Sequence, residues 1–91
     1  MSIRTAVIAE IRQIAAENNI STPELTDQLV LLDSGLDSLA IAILVLRLEE
    51  ALGFDPFAEA TRVSYPVTLG DLIRFYEHAA ERHVVAARQA G

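Results

Sequence analysis

The sequence predicts an all-α fold: a small bundle of three main helices plus a short helical turn. A long loop is expected between helices one and two. Apolar residues recur at helical spacing in three separate segments. The only strand-like segment, residues 63–67, is short, contains proline and lacks a second strand to pair with. The 91 residues are 52% hydrophobic and 22% charged, with 4 Gly and 3 Pro, which is typical of a small folded domain. We therefore expect a single domain over residues 1–91, with an ordered core over about residues 3–83.

The first helix is predicted from Ile3 to about Asn18 and Asn19, two residues that suit a helix C-terminus. Its apolar side consists of Ile3, Val7, Ile8, Ile11, Ile14 and Ala15. Residues 20–37 contain proline, glycine and several leucines, which predicts a long loop held by buried leucines. The order Thr22-Pro23 is typical of a helix start, so a short helical turn is expected inside this loop.

The second helix is predicted from Ser38 to Leu52, capped by Asp37 or Ser38 and ended by Gly53 in a left-handed conformation. One side has the spacing of a core face, with Ile41, Leu44, Val45, Leu48 and Leu52. Other apolar residues lie outside that side, namely Leu39, Ile43 and Leu46. A helix that is apolar on two sides is either enclosed in a core or shows one side to a partner, and in so small a protein we expect the second.

The C-terminal third begins with a turn and one helical turn over residues 54–60 and an extended loop over residues 63–67. The last helix is predicted from Leu69 to about His83, because Thr68 and Asp71 have capping-box spacing. Residues 86–91 are expected to fray.

The charge of the chain is concentrated in its middle. The net charge is −6, and residues 24–59 hold eight acidic residues against one base, Arg47. Such a chain lacks the basic surface that binds nucleic acid or anionic lipid. The acidic segment is either a solvated face or a surface that meets a basic partner.

The absence of cysteine excludes disulfides, thiolate metal sites and a cysteine nucleophile. The N-terminus lacks the pattern of a signal peptide, and no apolar run is long enough to span a bilayer. We therefore expect a cytoplasmic protein, and we also expect a monomer. The chain looks free-standing, although a domain excised from a longer protein would look the same.

The loop before the second helix carries the most informative motif. A serine at a helix start is usually only a cap. Here an aspartate precedes Ser38, a glycine lies three residues before it, and Leu36 and Leu39 can anchor the backbone on either side. This arrangement presents the hydroxyl of Ser38 on a helix N-terminus, where the helix dipole favours a phosphate ester.

At these residues the sequence resembles the acyl carrier and peptidyl carrier protein family. The family's attachment motif, Gly, an apolar residue, Asp, Ser and Leu, occurs here without substitution as Gly35, Leu36, Asp37, Ser38 and Leu39. Residues 26–33 are similar to the family's first loop, residues 48–53 to the end of its second helix, and residues 68–72 to the start of its last. The resemblance covers Ile3 to about Ala80 and implies the acyl-carrier fold.

The resemblance implies that a phosphopantetheinyl transferase attaches the 4'-phosphopantetheine arm of coenzyme A to Ser38. The terminal thiol of the arm would hold acyl or aminoacyl groups as thioesters, so a cysteine-free chain is compatible with this role. The domain itself would catalyse nothing. Its partners would be an acyl- or aminoacyl-loading ligase or transferase, and synthase or condensing enzymes.

By the same resemblance the second helix is the main docking surface for partner enzymes. The docking residues are expected to be Leu39, Ile43, Leu46, Arg47 and Glu50. Carriers of fatty acid synthesis have several acids along this side, whereas the apolar residues here are more similar to carriers of polyketide, nonribosomal peptide or other specialised pathways. A cargo pocket between the second and last helices would be lined by Val7, Ile41, Val45 and Leu48.

Two other classes of function are weighed against the carrier. A serine hydrolase would need a Gly-x-Ser-x-Gly turn, which is absent around Ser38, and no clear metal-ligand cluster accompanies the two histidines. The remaining alternative is an unmodified helical interaction module with a carrier-like fold, which would share the apolar second helix but would not need Ser38.

Overall fold

The computed structural model describes residues 2–59 and 66–90, and the regular secondary structure within them is helical apart from one isolated β-bridge. The helices are α1, Ile3–Glu17; α2, Ser38–Leu52; α3, Pro56–Glu59; and α4, Leu69–Ala90. A short 3-10 helix, Leu31–Asp33, lies in the loop between α1 and α2. The predicted all-α class, with three main helices and a short helical turn after α2, is confirmed.

The ends of α1 and α2 follow from their capping residues. The Ser2 hydroxyl accepts a hydrogen bond from the Thr5 amide at 3.1 Å, and the chain leaves α1 through Asn19 at φ 55°. The Asp37 carboxylate caps α2 by accepting from the Ala40 amide at 2.8 Å, and Gly53 ends the helix at φ 86°. Each cap satisfies backbone groups that have no partner inside the helix.

The core lies where α1, α2 and α4 meet. Its buried members are Val7, Ile11, Ile14, Leu31, Leu36, Ala40, Leu44, Leu48, Leu69, Leu72, Ile73 and Tyr76. The centre of the buried side of α2 is therefore Ala40, Leu44 and Leu48, whereas Ile41 and Ile43 are both only partly buried. The buried side of α2 is therefore rotated about the helix axis relative to the predicted one. The prediction counted Ile41, but not the small Ala40, among the core residues.

The helical turn expected at residues 22–24 is wrong, because residues 21–26 form no helix. The residue before a proline favours the extended conformation, which also suits a helix N-cap, so Thr22-Pro23 is compatible with a helix start but does not produce one. The Thr26 amide donates to the Glu24 carbonyl and the Leu29 amide to the Thr26 carbonyl, which are turn hydrogen bonds and not those of an α-helix. The short helix of this loop is the 3-10 helix at residues 31–33. The expectation of buried leucines holds in part, since Leu31 and Leu36 are buried and Leu25 and Leu29 are partly buried against the core.

The long loop is hydrogen-bonded to the start of α4. The Leu31 amide donates to the Val67 carbonyl at 2.9 Å and the Leu69 amide donates to the Leu29 carbonyl at 2.8 Å, which forms an isolated antiparallel bridge between Val30 and Thr68. The expected extended loop over residues 63–67 forms no strand in its described part, residues 66–67, although the Val67 carbonyl does have a hydrogen-bond partner in Leu31. Residues 63–65 lie outside the described part of the chain.

Helix α4 begins with the predicted capping box. The Asp71 amide donates to the Thr68 hydroxyl at 3.1 Å, and the Thr68 amide donates back to the Asp71 carboxylate at 3.2 Å. The helix continues to Ala90. The predicted end near His83 is therefore wrong, and so is the predicted fraying for residues 86–90, while Gly91 lies outside the described residues. No glycine or proline interrupts the sequence between Asp71 and Ala90, and the backbone hydrogen bonds therefore continue.

Candidate functional site

Ser38 is the first residue of α2, and its side chain is exposed. The amide groups of a first helical turn have no acceptor within the helix, and the helix dipole places partial positive charge there. An oxygen at this position can therefore carry a phosphodiester whose negative charge meets these amides. The exposed hydroxyl and the helix start fit a phosphorylated prosthetic group.

The residues before Ser38 hold the backbone while leaving the hydroxyl free to face outwards. Leu36 is buried in the core, as expected of an anchor, whereas Leu39 is 68% exposed, so the expectation that Leu39 anchors the backbone after Ser38 is wrong. The carboxylate of Asp37 faces back into the helix, where it accepts from the Ala40 amide. Of the two capping candidates, the cap is therefore Asp37, and Ser38 is not needed for that task.

Gly35 provides the sharp turn before this segment. Its φ of 92° lies in the left-handed region, and a Cβ atom at this position would lie 2.9 Å from the Ile20 Cγ2 atom. Glycine is the residue that fits both conditions at once. The motif glycine is therefore required by the path of the backbone.

Ser34 is a buried polar residue in the same turn, with a side chain 3% exposed. Its hydroxyl donates to the Leu31 carbonyl at 2.6 Å and accepts from the Leu36 amide at 3.2 Å. No role for Ser34 was predicted from the sequence. Only the burial of the hydroxyl distinguishes it.

The outer side of α2 carries exposed apolar side chains. Leu39 is 68% and Leu46 61% exposed, and Glu50 is exposed near the end of the helix. Ile43 is different, because it is partly buried and packs against the core. Of the three apolar residues that the sequence assigned to docking, two are therefore exposed to solvent and one is partly buried.

Arg47 ties α2 to α1 instead of standing free on the surface. Its guanidinium lies 2.6 Å from a carboxylate oxygen of Glu17 and 3.9 Å from one of Glu10. The hydrogen bond from Arg47 holds the pKa of the Glu17 carboxyl below its usual value. The charge that the sequence assigned to partner contact is thus already paired within the chain.

A large apolar groove lies beside α2, with a volume of about 730 Å³. It is lined by Val30, Leu31, Leu32, Ile41, Ala42, Leu44, Val45, Leu46, Phe57, Pro66, Val67 and Leu72. Of the four residues predicted to line a cargo pocket, Ile41 and Val45 line this groove. The other two, Val7 and Leu48, are not among its lining residues, and both are fully buried in the core.

Two residues on the rim of the groove were not found from the sequence. Leu32 is 83% and Val67 60% exposed. The 3-10 helix turns Leu31 into the core and its neighbour Leu32 outwards, and the bridge to Val30 brings the segment at Val67 to the same rim. The adjacent leucine pair was the only signal in the sequence, and it does not say which leucine is exposed.

Within residues 2–59 and 66–90, no cluster of three metal-ligating side chains is present. None of the helices in the described part of the chain is long and apolar enough to cross a membrane.

Comparison with known families gives one match. The family described as "phosphopantetheine attachment site" matches residues 9–61, a segment that includes the C-terminal part of α1, the long loop, the motif around Ser38 and all of α2. The chain belongs to this family of acyl and peptidyl carrier proteins. It is a phosphopantetheine-binding carrier protein, and its cofactor is a covalently attached 4'-phosphopantetheine. No curated protein and no solved structure matches the chain.

Proposed function

We propose that this carrier protein is modified on Ser38 and transports acyl groups between partner enzymes without catalysing a reaction itself. The observation that carries the proposal is the exposed Ser38 hydroxyl at the start of α2, within the matched segment. The buried Leu36 and the cap of Asp37 fix this hydroxyl on a rigid element.

In the attachment reaction, the Ser38 oxygen forms a bond to the phosphorus atom of coenzyme A that bears the pantetheine arm. The bond from that phosphorus to the second phosphate breaks, 3',5'-ADP leaves, and the serine proton passes to a base of the transferase. Once attached, the arm supplies a terminal thiol for thioester formation. The amides of the first turn of α2 lie next to the new phosphodiester and favour its charge.

The exposed apolar side of α2 is the proposed docking surface for the transferase and the synthase enzymes. Leu39 and Leu46 are its centre and Glu50 lies at its end, while Ile43 and Arg47 mainly support the bundle. Exposed apolar side chains in a small protein are typical of a contact that excludes water. The apolar character of this side supports a role in a polyketide, nonribosomal peptide or other specialised pathway.

The groove beside α2 is the proposed shelter for the apolar part of the cargo. Its lining is aliphatic and aromatic, and Ile41 and Val45 form its wall on α2. Burial of an acyl chain there would be favoured by about 0.8 kcal/mol for each methylene group removed from water. A loading ligase or acyltransferase and a condensing enzyme complete the proposed set of partners. The cytoplasmic location, the monomeric state and the single domain over residues 1–91 stay predictions.

The first test is the intact mass of the protein after incubation with coenzyme A and a broad-specificity phosphopantetheinyl transferase. We expect the native chain to gain one phosphopantetheine and the Ser38→Ala variant to gain none. Ser21→Ala is the matched control, because Ser21 is also exposed but lies in the long loop, and it should be modified like the native chain.

A folded native protein that gains no mass with two different transferases would contradict this proposal. That result would favour the unmodified interaction module, which uses the apolar side of α2 alone. A gain of mass on Ser38→Ala would instead place the arm on another residue.

A further inference from the structure

We infer that Ser34 is a positioning residue for the modification of Ser38. The inference rests on the proposed function, because it concerns the transfer of the arm to Ser38. Ser34 lies four residues before Ser38, in the turn that leads into α2, and its hydroxyl is the hydrogen-bonding centre of that turn. A serine that only made the loop soluble would be exposed, whereas this side chain is 3% exposed.

The two hydrogen bonds of the Ser34 hydroxyl have different consequences. The Leu31 carbonyl also accepts from the backbone amide of Ser34 at 3.1 Å, so the 3-10 helix keeps a backbone hydrogen bond when the hydroxyl is removed. The Leu36 amide donates to the hydroxyl itself at 3.2 Å. The specific task of the hydroxyl is therefore to hold the backbone at Gly35 and Leu36.

This part of the backbone determines where Ser38 stands relative to the bundle. Gly35 has a left-handed φ of 92°, and a conformation of this kind is held only by its surroundings. Leu36 is buried and enters the core directly after it, and Asp37 then caps α2. Loss of the Leu36 hydrogen bond frees the segment between the 3-10 helix and α2 to adopt alternative paths.

The chemical reactivity of the Ser38 hydroxyl does not depend on Ser34. When the backbone between the 3-10 helix and α2 adopts several conformations, only a fraction of the molecules presents Ser38 in the arrangement that the transferase binds. The apparent affinity of the transferase for the carrier falls in proportion to that fraction. Ser34→Ala should therefore raise the KM of the transferase for the carrier and leave kcat within about twofold of the native value. The expected rise in KM is about five- to tenfold, the factor that corresponds to one buried hydrogen bond.

The experiment measures transferase kinetics with the native 91-residue chain and with its variants Ser34→Ala, Ser34→Thr and Ser2→Ala. Ser34→Thr keeps the hydroxyl and should restore most of the native KM. Ser2→Ala is the control for stability, since it removes the cap of α1 but lies outside the loop. Amide hydrogen exchange, followed by NMR, should become faster at Leu36 in Ser34→Ala and remain unchanged there in Ser2→Ala.

Equal KM values for Ser34→Ala and the native chain would overturn the inference, as would an equal rise in KM for Ser2→Ala. A Ser34→Ala chain that fails to fold would also overturn it, because the hydroxyl would then be required for the fold and not for presentation of Ser38. A native chain that is not modified at all shows a different failure, that of the proposed function, and removes the reaction that Ser34 would serve.

Discussion

At the scale of single residues, two glycines with left-handed backbones have different neighbours. Gly35 has φ 92° and Gly53 has φ 86°. A Cβ atom on Gly35 would approach Ile20, which is itself packed against the core, whereas a Cβ atom on Gly53 would meet nothing within 4 Å. Alanine substitutions at these two glycines therefore separate the effect of backbone strain on stability from the effect of a steric clash.

We expect Gly53→Ala to lower the free energy of unfolding by about 1 kcal/mol, the strain of a left-handed alanine. Gly35→Ala carries the same strain and also forces Ile20 to move, so it should lower the free energy by about 1 kcal/mol more. Urea denaturation of both variants measures the difference. Equal losses in the two variants would show that Ile20 yields without cost.

The residues that could be predicted from the sequence are those whose role is local. Asp37 as a cap and Gly53 as a helix end depend on a few neighbours along the chain, so spacing alone was enough to find them. The role of Ser34 depends on its burial, which the residue spacing does not show, and that of Arg47 depends on Glu17 in another helix. No sequence pattern near Ser34 or Arg47 indicates this burial or this ion pair.

At the scale of elements, α2 presents two different apolar sides. Leu46 is 61% exposed, while Ile43, which lies three residues earlier, is partly buried against the core. The sequence analysis placed both on one docking side because both lie off the core face. The structure separates a residue that can contact a partner from one that mainly stabilises the bundle.

The variant Leu46→Asp should therefore disturb docking without unfolding the protein. We expect a loss of at least about tenfold in kcat/KM for transfer with a partner synthase and a change of stability within about 0.5 kcal/mol. Ile43→Asp should instead lower the free energy of unfolding by about 1–3 kcal/mol, because a charge enters a half-buried site.

The control is Gln13→Asp, which adds the same charge at an exposed position of α1. Its transfer kinetics should match those of the native chain. A loss of transfer with Gln13→Asp as large as with Leu46→Asp would mean that added negative charge, and not the lost apolar contact, is responsible.

The apolar groove beside α2 depends on the distance between elements, which helical periodicity does not show. Periodicity identified Val7 and Leu48 as apolar residues that face inwards, and both are fully buried. Whether an inward-facing residue fills the core or lines a groove depends on how far neighbouring elements are separated, which periodicity does not contain. Ile41 and Val45 line the groove because they lie on the flank of the buried side of α2.

At the scale of the whole molecule, pairs of charges connect segments that are distant in sequence. Arg4 of α1 lies 2.5 and 3.0 Å from the two carboxylate oxygens of Asp27 in the long loop, and Arg47 joins α2 to Glu17.

Hydrogen bonds from the Thr68 and Val67 amides and from Arg74 hold the pKa of Asp71 below its usual value. Similar hydrogen bonds from Arg4 lower the pKa of Asp27.

A carboxylate with a lowered pKa in the folded state stabilises the fold in full above its unfolded pKa, and this contribution is lost as the pH falls through the folded pKa. For Asp71 the unfolded value is 3.8. The difference in stability between the native chain and Asp71→Asn should therefore be greatest above about pH 5 and should shrink below about pH 4. Urea denaturation from pH 7 to pH 3 checks this sign, and a difference that grows on acidification would contradict it.

The link between the long loop and the start of α4 has a consequence for the timing of biosynthesis. The amides of Leu69 and Gly70 donate to carbonyls of Leu29 and Asp27, and the Val67 carbonyl accepts from Leu31. A nascent chain on the ribosome that has exposed α1, the loop and α2 still lacks these partners. We therefore expect the loop that leads to Ser38 to reach its final form only after the start of α4 has emerged, and an incomplete chain to be a poor substrate for an enzyme that modifies this surface.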